Sequence, residues 1–191
     1  GLYLFNKLAN KTFDLAKEKG KEFIVGVSNQ ISTKLFVRYF KFKLISQLDV
    51  KFGIGKTKKL EGLNNFKVLW NEKSLSWRLK NPRFNYKSNL HKNEFFVYNN
   101  FYKFFKIEMG RFSKNQFLDT FKNYENIFNF SLFNLWIGLG NYNWENTMYF
   151  NFPEILKPAP LNFIIKDISG ENHNLSNNKE SIDFQLIDFD I

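Results

Sequence analysis

Gly53 and Gly55, followed at once by Lys56 and Thr57, come nearest in this chain to a phosphate-binding loop. A nucleotide cradle of that type needs a further glycine five positions before Gly55, so that successive backbone N–H groups can curl round the phosphates. Val50 stands there, so the stretch VKFGIGKTKK reads as a turn with a basic exit. The chain has no cysteine, which excludes disulfides, a thiol nucleophile and any Cys-ligated zinc or iron–sulfur centre. Its two histidines, His91 and His173, are far apart in sequence and are read as surface residues. Neither a Gly-x-Ser-x-Gly elbow nor a dinucleotide fingerprint is present. The expectation is a protein that is not an enzyme and takes no metal and no cofactor.

The charge points elsewhere. The formal net charge is +10 and the isoelectric point about 9.6, which calls for a polyanionic partner. Residues 1–120 carry 24 Lys and Arg against 9 Asp and Glu, a net of +15, whereas residues 121–191 carry 4 against 9, a net of −5. The anion-binding surface is therefore expected in the first two thirds. The longest apolar run, Ile127 to Gly140, falls short of the ~20 residues of a spanning helix and is interrupted by Asn129 and Asn134, so no membrane insertion is expected. Twenty-five phenylalanines among abundant Asn, Lys and Ile fit an AT-rich organellar genome. The lack of an Arg-rich leader at Gly1 fits synthesis inside the organelle or prior processing.

These residues must be positioned by elements that the periodicity outlines. LFNKLANKTFDLAKEKG spaces Leu4, Leu8, Phe13 and Leu15 on one face of a basic amphipathic helix ending near Gly20. STKLFVRYFKFKLISQLDVKFGIG alternates aromatic and β-branched residues with lysines and predicts extended structure. Leu60, Leu63, Phe66, Leu69 and Trp70 predict a core helix, SLSWRLK a strand, and Asn81–Asn93 a polar loop. EFFVYNNFYKFFKIEMG returns as strand. Ser113 opens a second core helix that buries Phe117, Leu118, Phe121 and Tyr124. Three further strand-like stretches follow. The acidic tail, Ser181–Ile191, alternates Ile182, Phe184, Leu186 and Phe189 with Asp183, Asp188 and Asp190, and predicts an edge strand docked on a basic neighbouring protein or on the chain's own sheet. The fold class expected is α+β, a mostly antiparallel sheet with helices packed on one face. Most of the aromatics are assigned to the core.

One block is more specific. GLGNYNWENTMYFNFPEI, Gly138–Ile155, resembles the signature of the ribosomal protein L-five family of the large subunit, in which a Gly-x-Gly-Asn-Tyr turn precedes Phe-Pro-Glu-Ile by a fixed interval. Gly138, Gly140, Asn141, Tyr142, Phe152, Pro153, Glu154 and Ile155 all fall in register. Flanking segments agree in order, so the resemblance spans roughly Lys41–Asp167. Leu139 stands where the family carries arginine and Glu145 where it carries glycine; the family's C-terminal helix has no counterpart here. These departures, with a longer start, fit an organellar form.

The resemblance implies a structural constituent of a mitochondrial large ribosomal subunit, placed in the central protuberance and confined to the mitochondrial matrix. The division expected is a basic extension over 1–40, an RNA-binding domain over 41–168 and a tail over 169–191. Lys34, Arg38, Lys41, Lys43, Lys51, Lys56, Lys58 and Lys59 are the expected contacts to rRNA phosphates. The family's loop at Asn81–Asn93 reaches the peptidyl-site tRNA, which assigns that role to Arg83, Lys87, His91 and Lys92. Implied partners are large-subunit rRNA, including 5S rRNA where the organelle has one, neighbouring ribosomal proteins, and a small-subunit head protein across a bridge. The competing reading is a peripheral subunit of a mitochondrial respiratory complex, which leaves the Gly138–Ile155 block unexplained.

Overall fold

A computed structural model describes residues 2–56, 58–60, 66–102, 105–122, 132–153, 160–171 and 179–189. In chain order the elements are α1 Leu2–Glu18, β1 Phe23–Ser28, α2 Gln30–Phe40, β2 Lys43–Gln47, β3 Asp49–Ile54, β4 Lys58–Lys59, β5 Phe66–Lys67 and α3 Glu72–Leu79. There follow β6 Tyr86–His91, β7 Glu94–Tyr102, β8 Phe105–Ser113, α4 Lys114–Phe121, β9 Phe133–Leu139, β10 Tyr142–Asn143, β11 Met148–Asn151, β12 Asn162–Asp167 and β13 Ile182–Gln185. Helices packed on a mostly antiparallel sheet make this an α+β fold, as the sequence predicts. The chain forms two compact units, residues 1–48 with 158–179, and residues 49–157 with 180–191. The first unit thus combines the basic extension with segments from both sides of the resemblance, and the tail belongs to the second.

In the first unit β12 lies between β1 and β2, antiparallel to both. Phe40, Phe42 and Ile164 form its core, with Ala9, Phe13 and Phe36 against them. α1 meets this core through Phe5, Ala9 and Phe13, whose spacing of four puts them on one stripe. Of the face expected to pack, Phe13 does so, whereas Leu4, Leu8 and Leu15 are exposed, at 69%, 65% and 50%. α2 replaces the extended structure expected over residues 30–40. Its start is fixed by Asn29, whose side chain accepts the Ser32 amide at 2.9 Å, and by Thr33, which donates to Asn29 O and accepts from Asn162. A local cap and a buried hydroxyl network outweigh the β-propensity of Phe36, Val37 and Tyr39.

The second unit is an eight-stranded sheet in the order β11-β3-β9-β8-β7-β6, with β13 paired to β9 and β5 to β13. All pairs are antiparallel except β8–β9, which α4 connects, and β5–β13. One face carries the core: Leu75 and Leu79 of α3, Phe117 and Phe121 of α4, and Leu186 and Ile187 pack on Phe95, Val97, Met109 and Phe112. Leu118 points outward, at 41% exposure, and Tyr124 lies outside the described residues.

Three expectations are corrected here. SLSWRLK is helix, because Asn71 and Ser74 form a reciprocal capping box that starts α3. The core helix expected over Leu60–Trp70 is absent among the described residues: Phe66 and Lys67 are instead a strand beside β13, Leu69 is exposed, and Trp70 is half-buried ahead of α3. Much of the expected loop at 81–93 is β6, with Tyr86 and Ser88 buried against β7. The tail is docked on its own sheet. β13 pairs with β9 where β8 leaves it beyond Trp136, and Ile182, Phe184, Leu186 and Ile187 are all buried.

Candidate nucleic-acid interface

The sheet face opposite α3 and α4 is lined by aromatics and cations. It begins with an irregularity: Val97 pairs with Gly110 but Tyr98 pairs with Glu108, so β8 bulges at Met109. Residues three apart on a regular strand face opposite ways. The bulge instead sets Glu108 and Arg111 on the same face, 2.5 Å apart and both almost fully buried. Met109 enters the core, and Gly110 lies so near Ile187 that a Cβ there would come within 2.9 Å of its Cγ2.

The Arg111 guanidinium sits over the rings of Phe96, at 4.7 Å, and Tyr142, at 5.1 Å. Beside it Lys106 lies 4.5 Å from the Tyr98 ring and Lys56 5.3 Å from Phe96. Three cations therefore converge on one carboxylate. Burial, followed by repulsion from Lys106 and Arg111, lowers the Lys56 ammonium below the usual lysine range, with Glu108 opposing. Lys106 is lowered chiefly by burial. Burial acts downward on Arg111 too, but the charge and hydrogen bond of Glu108 outweigh it and raise the guanidinium. Burial and then Glu108 push the Tyr149 phenol up to about 12 and the Tyr98 phenol upward as well. The phenols stay neutral, and the surplus charge of the cluster is positive.

The two glycines of the opening stretch now have defined tasks. Gly53 packs so closely on β11 that a Cβ would meet Met148 O at 2.2 Å. Gly55 turns at φ 92°, and its carbonyl accepts from Asn134 Nδ2 at 2.6 Å and Tyr149 Oη at 3.0 Å. That clamp carries Lys56 over Phe96. On the other side of Tyr149 lies an aromatic cluster of Trp136, Tyr142 and Trp144, with Lys51 held 5.3 Å above Trp144 by a 2.6 Å bond to Asn151.

The residues of the Gly138–Ile155 block adjoin this face. A Cβ on Gly138 would strike Phe184 O at 2.4 Å, and one on Gly140 would strike the Tyr142 ring at 2.6 Å. Tyr142 is buried edge-on to Trp136, Asn141 accepts the Leu60 amide through its backbone, and Phe152 donates to Val50 O. Pro153 is exposed, whereas Glu154 and Ile155 lie outside the described residues.

Of the expected phosphate contacts, Lys51 and Lys56 belong to this face. Lys58 and Lys59 form β4 against β10, with their side chains outside the description. Lys34, Arg38, Lys41 and Lys43 belong to the first unit, all exposed, with Lys41 capping α2 in the left-handed conformation. The loop set is divided. His91 ends β6, 6.3 Å from the Phe96 ring, and slight burial, then Lys56 and Lys92, lower its pKa against the pull of Glu94. Lys87 is on β6, Lys92 is in the turn that follows, and Arg83 is exposed after α3. Lys106 and Arg111 were not singled out by sequence; the signal was a glycine between two charges in a strand, Glu108-Met109-Gly110-Arg111.

The fold and this face define an α+β protein with a cationic, aromatic-backed sheet surface. Comparison with family models, with curated proteins and with solved structures finds no match for the chain. Among the described residues no helix is long and apolar enough to cross a membrane, and no three acidic or histidine side chains group as metal ligands.

Proposed function

We propose that this chain is a structural RNA-binding constituent of the large subunit of a mitochondrial ribosome and carries out no catalysis. The observation that carries the proposal is the convergence of Lys56, Lys106 and Arg111 on the single carboxylate of Glu108. Cations crowded against each other in partial burial gain most from an anion with several charges at fixed spacing, as a sugar–phosphate backbone offers. The in-register block Gly138–Ile155 supports the reading by its resemblance to the ribosomal L-five signature, which implies the central protuberance, contacts to peptidyl-site tRNA and the small-subunit head, and neighbouring ribosomal proteins. The Phe-, Asn-, Lys- and Ile-rich composition supports an organellar origin.

The test is purification of mitochondrial ribosomes from the source organism, followed by mass spectrometry and density of the large subunit. The chain is expected in stoichiometric amount, with Lys56 and Lys106 against rRNA phosphates. Recovery only in a respiratory complex, or density in which this sheet face meets protein alone, overturns the proposal.

A further inference from the structure

α3 points its residues inward at 75, 78 and 79 and leaves Trp77 out, 72% exposed. The indole borders a groove of about 380 Å³ that is lined further by Arg78, Lys80, Asn81, Pro82 and Arg83. That volume lies within the range of small-ligand clefts, about 300–1,000 Å³. The groove is built. Buried Arg78 donates to Ile187 O at 3.0 Å, the Asn81 side chain accepts the Arg83 amide at 3.1 Å, and Phe84 N donates to Asn81 O at 3.2 Å. These bonds fix the turn that carries Pro82 and Arg83 beside the helix end. Three of the six lining residues are cationic and none is acidic.

We propose that this groove receives an unpaired nucleotide of single-stranded RNA, its base stacked on Trp77 and its flanking phosphates held by Lys80 and Arg83. A flat aromatic face next to the exposed cations Lys80 and Arg83 is the combination that single-stranded nucleic acids select, because every base has a π-face and every linkage an anion. A protein ligand for so cationic a groove would have to bring its own acidic groups, and an apolar side chain would leave Lys80 and Arg83 unused. The inference rests on the RNA-binding reading for the kind of polymer and adds a second site, on single strands, to the cationic sheet face.

Two RNAs and three variants separate the ideas. The full chain is titrated with a short oligoadenylate and with a duplex RNA, reading affinity by anisotropy and Trp77 accessibility by acrylamide quenching, taken as the difference from Trp77→Phe so that nearly buried Trp136 and partly buried Trp70 and Trp144 cancel. Oligoadenylate is expected to shield Trp77, Trp77→Ala to weaken oligoadenylate binding roughly tenfold, the order of one lost stack, and Trp77→Phe to keep most of it. Duplex binding is expected to be unchanged in both variants and to weaken in the Lys56→Gln, Lys106→Gln pair. Trp77 left equally accessible with oligoadenylate bound, or Trp77→Ala binding as well as the parent, overturns the inference; if the lysine pair still loses duplex binding, the RNA reading stands without it. A chain that binds neither RNA overturns both.

Discussion

Asp188 is a carboxyl held where its charge is unwelcome. Its Oδ1 accepts from Trp70 Nε1 and its Oδ2 from Gln185 N, each at 2.7 Å. Burial still raises its pKa from 3.8 to about 6, with those bonds and Arg78 pulling down and Asp183 pushing up. Between about pH 4 and 6 the folded chain keeps a proton that the unfolded chain releases, so stability must fall as pH rises through that window and level off above it. A difference of that size is worth on the order of 2 kcal/mol. Thermal melts from pH 4 to 7 are expected to show the fall in the parent and a flatter profile in Asp188→Asn; equal slopes would refute the assignment. Lys41 offers a trade between fold and binding. It holds φ 57°, ψ 34° at the α2 C-cap, a left-handed site that glycine fills at less cost. Lys41→Gly is expected to stabilise the chain by about 0.5–1 kcal/mol and, as one phosphate contact fewer, to weaken RNA binding. A stabilised variant with undiminished RNA affinity would remove Lys41 from the interface.

The β9–β13 pair is a sensitive junction between elements. Gly138 faces Phe184 O, a backbone atom that cannot withdraw without breaking the pairing. Gly138→Ala is expected to cost about 1–3 kcal/mol by overpacking, read in denaturant titration; a neutral substitution would mean that the pair is looser than drawn. Legibility followed locality. β7, β8, β9 and β12 were readable because each is a run of apolar and β-branched residues between turns, and α1 because its lysines leave an apolar stripe. α2 and α3 were misread because aromatic and alternating residues masked them, although Asn29 and Asn71 were available as caps. β5 could not be read at all, since Phe66 and Lys67 owe their extended form to β13, more than a hundred residues away. The cationic sheet face is legible in the sequence at Lys51 and Lys56 and hidden at Lys106 and Arg111, because a bulge decides which way Arg111 faces and single-strand periodicity carries no bulge.

At the scale of the molecule the charge is segregated by chemistry. Of the tail carboxylates among the described residues, Asp183 is buried and Asp188 is bonded inside the second unit. Folding therefore withdraws these two carboxylates from the surface. If the designated lysines with Lys106 and Arg111 engage 6–10 phosphates, affinity for RNA should drop about 10³–10⁵-fold between 50 and 200 mM salt. Filter binding across that range is the measurement, and a drop of less than about tenfold would confine RNA to one small patch.

The closure of the second unit by β13 also orders events during synthesis. Leu139 of β9 leaves the peptidyl-transferase centre about 45 residues before Phe184, its partner across the ladder. At roughly 5–20 residues per second the nascent chain carries that edge and the Ile187 socket beside Gly110 unsealed for seconds. Until β13 arrives, the sheet has an open edge and an exposed apolar face, the two features that invite capture by a folding helper or by another unfinished chain. A chain truncated before β13 is thus recognisable as incomplete.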